Sequence, residues 1–220
     1  MSGRHLAEDE LTPEQRRNPY TPPTPKPRRM PFDLPGFVLN RWTVAAFNEL
    51  YYRRQAARGS FSSGWQGFFS PLDAIADWNR LYGRRGFIQY QCVLPLEEAD
   101  AGIERLLDRI RQRGKASFLA VLKRMGPANE APLSFPMEGY TLAVDLPLHG
   151  SEAERMVTDL NDITLEHAGR IYLAKDAVSR GDQVRAMYPR LEEWLALKAR
   201  IDPQWHFRSR LSQRLGWHHD

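Results

Sequence analysis

Gln91, Lys123 and Lys175 are the side chains whose types and settings invite a chemical reading. Gln91 lies in an alternating run, Phe87 to Leu94, that puts Ile88, Tyr90, Cys92 and Leu94 on one side and the amides Gln89 and Gln91 on the other. Lys123 follows the apolar Ala116 to Leu122, and Lys175-Asp176 follows Ile171 to Ala174. Both amines therefore stand at strand ends, a common place for ligating groups. Two amines acting as point charges and an amide acting as paired donor and acceptor suit an anionic or polyhydroxylated ligand. A desolvated lysine there is also able to act as a base or to polarise a hydroxyl. The plain reading is that Lys123 ends a strand in solvent, Gln91 faces water and Lys-Asp is an exposed turn; pattern alone leaves both open.

Other chemistries find less support. His5, His149, His206, His218 and His219 fall in tails or loops and His167 ends a helix, none spaced with a second ligand, so no metal is expected. There is no nucleophile elbow, phosphate loop or glycine-rich dinucleotide fingerprint. Arg85-Gly86-Phe87-Ile88-Gln89-Tyr90 partly matches the aromatic strand of RNA-recognition modules, yet the match stops after Arg-Gly-Phe and falls on the first strand. A basic nucleic-acid-binding module is kept as an alternative, and nucleic acid is not the expected partner.

The elements that must position these residues follow from periodicity. Strands are expected over Phe87 to Leu94, Ala116 to Leu122, Tyr140 to Leu146 and Arg170 to Ala174. Amphipathic helices are expected over Glu98 to Arg113, ended by Gly114, and Glu152 to His167, closed by Gly169. The order strand, helix, strand, strand, helix, strand predicts an α+β fold, a ferredoxin-like split βαβ antiparallel sheet with both helices on one face. The other face is left free. Val44 to Arg54 reads as a helix, Ser70-Pro71 as the start of another running to Leu81, and Gln183 to Arg200 as a helical region that Pro189 kinks or divides.

Composition sets the frame. The 220 residues are 42% hydrophobic and 26% charged, as in a globular protein of one or two domains. Pro13, Pro19, Pro22, Pro23, Pro25, Pro27, Pro31 and Pro35 are half of the 16 prolines, so residues 1–31 read as a disordered Pro/Arg-rich linker or arm and 32–217 as the folded domain. The single Cys92 forms no internal disulfide, and a reducing, cytoplasmic setting is expected. No apolar run approaches a bilayer span and the N-terminus lacks a signal-peptide core, which predicts a chain neither secreted nor integral. The net charge of +4 comes from 31 basic and 27 acidic residues, mostly interspersed.

Several stretches carry a resemblance: FDLPGFVLNRWTVAAFNELYYRR (32–54), FFSPLD (68–73), GFIQYQCVLP (86–95), FLAVLKRMGPANEAPLSFPMEGYTLAVDLPL (118–148), GRIYLAKD (169–176) and MYPRLEEWLALKARIDPQWHFRSRLSQRLG (187–216). Together they resemble the C-terminal, substrate-binding half of FAD-linked oxidoreductases of the vanillyl-alcohol oxidase type, in the group of the decaprenylphosphoryl-ribose 2′-oxidases and D-arabinono-1,4-lactone oxidases. The resemblance implies that Lys175 is the catalytic lysine beside flavin and reacting hydroxyl, and that Gln91 and Lys123 are the amide and amine that contact ligand beside the flavin ring, Gln91 and Lys175 also touching cofactor. Phe69, Thr141 and Ala143 fall at substrate-pocket positions and depart from the family pattern, where Phe69-Ser70 replace Tyr-His and Thr141 and Ala143 replace Asn and Cys.

The resemblance further implies oxidation of a sugar hydroxyl, of lipid-linked pentose or aldonolactone type, by hydride transfer to FAD. The half that holds the FAD pyrophosphate is absent from these 220 residues, so the expected partner is an FAD-binding domain on a separate chain, with a non-catalytic remnant as the alternative. A lipid-linked substrate implies peripheral contact with the inner membrane face, aided by Arg208, Arg210 and Arg214.

Overall fold

A computed structural model describes residues 4–19, 27–38, 40–64, 74–112, 119–147 and 150–217. Within the first 31 residues it has a short helix α1 (Pro13–Arg17), whose N-terminus is capped by Thr12, and a two-residue strand β1 (Arg28–Arg29). Helix α2 (Arg41–Ala56) starts at Asn40, whose side chain accepts from the Trp42 and Thr43 amides at 2.9 and 3.2 Å.

The expected helix from Pro71 to Leu81 is not what forms; residues 65–73 lie outside the described chain, and the remainder is different. Strand β2 (Ile75–Ala76) pairs in parallel with β1, and a 3₁₀ turn covers Trp78–Tyr82. Asp77 between them takes φ +58°, a left-handed conformation that no α-helix passes through. The backbone here is committed to chain 28–34: Met30 N–H donates to Ala76 at 3.0 Å and Leu34 N–H to Arg80 at 2.9 Å.

The central unit is built as its pattern dictates. Strand β3 (Ile88–Pro95) is followed by α3 (Leu96–Gln112), β4 (Ala120–Met125), β5 (Gly139–Leu146), α4 (Gly150–Glu166) and β6 (Arg170–Ile171). The strands lie in the order β4-β5-β3-β6, every neighbouring pair antiparallel. This is the α+β, ferredoxin-like arrangement. Tyr90, Cys92 and Leu94 of β3 and Leu142, Val144 and Leu146 of β5 form one apolar face, packed on Leu106 and Ile110 of α3 and Met156, Val157 and Leu160 of α4. At about 25 cal/mol per Å² of apolar surface, this layer supplies the main drive to fold.

Two strands differ from expectation. β4 is shifted toward its C-terminal end, which puts Lys123 inside the strand and not past it. β6 stops at Ile171, because the chain coils into a 3₁₀ turn, Leu173–Lys175. Asp176 enforces the departure: its carboxylate accepts from Val178 and Ser179 amides at 3.2 and 2.9 Å and pairs with Arg214 at 2.6 Å. Arg214 thereby ties the last helix to the turn after β6, its guanidinium donating to Asp176 and to the Ser179 carbonyl. The end of α4 also differs in detail. Ala168 takes the left-handed conformation (φ +52°), while Gly169 is required for space, since a Cβ there would lie 2.6 Å from the Val93 carbonyl oxygen.

Proline 189 divides the last helical region into α5 (Gly181–Met187) and α6 (Leu191–Ile201), followed by α7 (Arg210–Arg214). The buried Tyr188 between them donates its hydroxyl to the Ile171 carbonyl at 2.6 Å, fixing this layer to β6. No described helix is long and apolar enough to cross a membrane.

Candidate active site

The strand parity that buries Tyr90, Cys92 and Leu94 sends Gln89, Gln91 and Val93 to the opposite face of the sheet. Register then decides which residues join them. Gln91 pairs with Ala143 and that with Val121; Val93 pairs with Thr141 and that with Lys123; Gln89 pairs with Asp145. Neighbouring strands are about 4.8 Å apart. Gln91, Ala143, Thr141 and Lys123 are therefore contiguous on the face opposite α3 and α4.

The contacts bear this out. Gln91 Nε2 donates to Thr141 Oγ1 at 3.1 Å, and the buried Thr141 hydroxyl donates in turn to the Cys92 carbonyl at 2.8 Å. The threonine orients the side-chain amide, which leaves Gln91 Oε1 to accept from a ligand. Ala143, with no side chain beyond Cβ, makes a flat floor beside it. Lys123 is exposed in the next strand. Lys175 reaches the same region from the other side: the 3₁₀ turn is tied to β3 by Tyr172 N–H donating to the Gln91 carbonyl at 2.8 Å, and Lys175 lines one small pocket with Gln89, Gln91 and Tyr172. Thus Gln91, Ala143, Thr141 and Lys123 adjoin in register, Lys175 shares a pocket with Gln91 across the sheet from Lys123, and Phe69 lies outside the described residues.

Sequence reasoning missed the most buried polar residue of this face. Asp145 is wholly buried, and its carboxylate accepts from Gln89 Nε2 at 2.8 Å and from the Tyr82 hydroxyl at 3.0 Å. Burial pushes its carboxyl above the ordinary aspartate range, while the two hydrogen bonds and the positive charge of Lys175 oppose that shift. A signal was available: Asp145 has the parity of Thr141 and Ala143, so an acid stood on the polar face of an otherwise apolar strand. Tyr82 carried none. It is held by ring contacts with Phe87 at 4.3 Å and Trp78 at 6.3 Å.

The RNA-recognition pattern finds a different use in the fold. Tyr90 is buried beneath the helices with its hydroxyl 2.9 Å from Thr164 Oγ1, and Phe87 packs on Trp78 and Tyr82. Neither ring forms a stacking platform on the open face. The described residues contain no cluster of three or more potential metal ligands. His167 instead joins α3 to α4, its Nδ1 2.8 Å from Glu98 and its Nε2 3.2 Å from Arg105.

Residues 84–215 match the family described as D-arabinono-1,4-lactone oxidase. The chain belongs to that family. This lactone-oxidase family member is 36% identical over 207 residues to the decaprenylphosphoryl-beta-D-ribose oxidase of Mycolicibacterium smegmatis, covering 94% of this chain and 45% of that protein. It is 29% identical over 195 residues to an uncharacterized protein in the mprA 5′ region of Streptomyces coelicolor, covering 89% of this chain and 52% of that protein. The chain spans about half the length of the curated relatives it matches. Gln89, Gln91, Lys123, Thr141, Ala143, Asp145 and Lys175 all fall within the stretch matched to the family.

Proposed function

We propose that this chain is the substrate-binding part of an FAD-dependent oxidoreductase that oxidises a sugar hydroxyl, of lipid-linked pentose or aldonolactone type. The observation that carries the reading is the polar sheet face of a lactone-oxidase family chain, on which Gln89, Gln91, Lys123 and the buried Asp145 lie in register, with Lys175 lining a pocket beside Gln89 and Gln91. Its chemistry suits a flat ring bearing carbonyl groups: Gln91 and Lys175 donate, the Gln91 oxygen accepts, and Ala143 leaves room for close approach. The described residues offer no glycine-rich phosphate cradle, and in this reading the pyrophosphate of the cofactor is held by a flavin-binding domain outside them.

Bound FAD supplies a two-electron acceptor for the hydride of a CH–OH carbon. This chain's residues do the rest of the positioning. Lys175 hydrogen-bonds the reacting hydroxyl oxygen and orients it, the hydroxyl proton passing to solvent water as the hydride leaves; Lys123 and Gln91 hold the neighbouring sugar oxygens, and Asp145 fixes the Gln89 amide at the edge of the pocket. Thr141 sets the orientation of Gln91 and with it the preference among sugars.

The test is made on the chain isolated with its flavin-bearing partner. Addition of an aldonolactone or a polyprenylphosphoryl pentose without oxygen should bleach the visible flavin band. Lys175→Ala should slow bleaching by about 10²-fold or more while the thermal melt stays unchanged, because the side chain is exposed. Wild-type rates in that variant would refute the role of Lys175, and protein that never carries flavin would make the chain a non-catalytic remnant.

A further inference from the structure

Arginines from two other parts of the chain hold the loop between β4 and β5, residues 126–138. Arg190 Nη1 donates to the Glu130 carbonyl at 2.6 Å, and Arg170 Nη1 donates to the Ser134 carbonyl at 2.9 Å. Within the loop, the Ala131 N–H donates to Asn129 Oδ1 at 2.9 Å and the Ser134 N–H to the Ala131 carbonyl at 3.0 Å. The loop therefore has a fixed shape, and it borders a groove of about 380 Å³. Small-molecule sites run from roughly 300 to 1,000 Å³.

The groove is walled by rings and aliphatic side chains. Pro132 and Phe135 come from the loop, Tyr172 and Leu173 from the chain after β6, Tyr188 from between α5 and α6, and Trp194 from α6. Phe135 and Tyr188 are buried and the other four are half-buried. Phe135 and Tyr172 pack with ring centres 4.7 Å apart. Two features on the same loop call for an anion. Ser134 Oγ is buried, belongs to a residue lining the groove, and has no hydrogen-bond partner among the described residues. Arg170, tied to the Ser134 carbonyl and 5.6 Å from the Tyr188 ring, adds a positive charge there. A buried hydroxyl left unpaired is costly, and a charged oxygen from a ligand offsets that cost.

Tyr172 joins this groove to the candidate active site, since it also lines the pocket that holds Gln91 and Lys175. A ligand that passes Tyr172 meets polar groups suited to hydroxyls, then a hydrogen-bond donor and a cation, then an apolar wall. An aldonolactone supplies a partner for the first of these alone. A pentose joined through a phosphodiester to a polyprenyl chain supplies all three in that order.

We infer that the groove between the β4–β5 loop and α6 is the subsite for the first isoprene units of a polyprenylphosphoryl substrate, with Ser134 donating to a phosphodiester oxygen beside Arg170. The inference rests on the proposed function above and selects the lipid-linked pentose from its two substrate types.

The test titrates the full chain calorimetrically with geranyl phosphate, farnesyl phosphate and farnesol. Farnesyl phosphate should bind at least about tenfold more tightly than geranyl phosphate, because one more isoprene unit is buried. Ser134→Ala should weaken farnesyl phosphate at least about tenfold and leave farnesol at its wild-type affinity, because only a hydrogen bond to a charged oxygen is lost. Ala131→Trp, which puts a ring at the exposed rim of the groove, should weaken both ligands by about tenfold or more. Both variants keep the fold, since Ser134 Oγ has no described partner to lose and Ala131 is exposed. Absence of binding by the wild-type chain, or wild-type affinity in Ala131→Trp, overturns the inference and leaves the proposed function standing. Wild-type affinity for farnesyl phosphate in Ser134→Ala overturns the anion contact. The chain isolated with its flavin-bearing partner separates the two readings. Bleaching by an aldonolactone but not by a farnesylphosphoryl pentose overturns the inference alone, and bleaching by neither overturns the proposed function and the inference with it.

Discussion

Asp145 is a wholly buried acid whose described hydrogen bonds come from a phenol and an amide, and the cost of disturbing it is calculable. Tyr82→Phe removes the hydroxyl that donates to Asp145 at 3.0 Å and keeps the ring packed on Phe87 at 4.3 Å. A hydrogen bond to an ionised group contributes about 1.5–3 kcal/mol, and one between neutral groups about 0.5–1.5. Tyr82→Phe should therefore cost about 2 kcal/mol at pH 8, equivalent to a melting-temperature drop of roughly 4–8 °C in a domain of this size. In an Asp145→Asn background the same change should cost only about 1 kcal/mol, because Asn keeps an acceptor but not the charge.

The pH dependence has a definite sign. The Asp145 carboxyl is raised above its ordinary 3.8, so the folded state holds its proton more tightly than the unfolded chain does. That contribution is fully present below about pH 3.8 and is lost as pH rises through the elevated folded value. Wild-type protein should lose this stability between the two values, and Asp145→Asn should not. Urea unfolding of the full chain across this pH range, followed by far-ultraviolet circular dichroism, measures both effects. Equal costs of Tyr82→Phe in the two backgrounds, within about 0.3 kcal/mol, or an unchanged pH slope in Asp145→Asn, would refute the reasoning.

Three further outcomes are expected. Lys198, which donates to Asp202 and to the Phe207 carbonyl and lies 5.0 Å from the Trp205 ring, holds the Asp202 carboxyl down at about 2; Lys198→Met should lower the melting temperature by roughly 5 °C and make the tryptophan signal acid-sensitive at higher pH. Burial pushes the Cys92 thiol up to about 12, so iodoacetamide should label the native chain negligibly and the urea-unfolded chain fully; rapid labelling of native protein would contradict the sheet register. A Cβ at Gly139 would lie 1.9 Å from the Leu94 carbonyl oxygen, so Gly139→Ala should destabilise by more than about 3 kcal/mol in urea titration and yield little folded protein.

What was legible in the sequence and what was not divide along a physical line. Local periodicity carried the central unit: the alternation around Tyr90 and Cys92, the stripes of α3 and α4 and the break at Pro189 are properties of short windows, since side-chain direction repeats every 2 or 3.6 residues. Parity also announced the polar face through Gln91, and the residues quoted for the resemblance singled out Lys175. Register was not legible. Only strand pairing put Thr141 under the Gln91 amide, Ala143 beside it and Asp145 against Gln89, because these contacts join positions about 50 residues apart or more. The same holds for Ile75–Ala76, where local propensity read a helix and the distant Arg28–Arg29 claimed the backbone for a strand. Lys175 shows both: its residue type and neighbours marked it as a candidate, but its place beside Gln91 depended on Asp176 and Arg214 drawing the chain off the sheet one turn after Ile171. A sequence states which side chains are available to an element, and the free energy of long-range packing decides which of them meet.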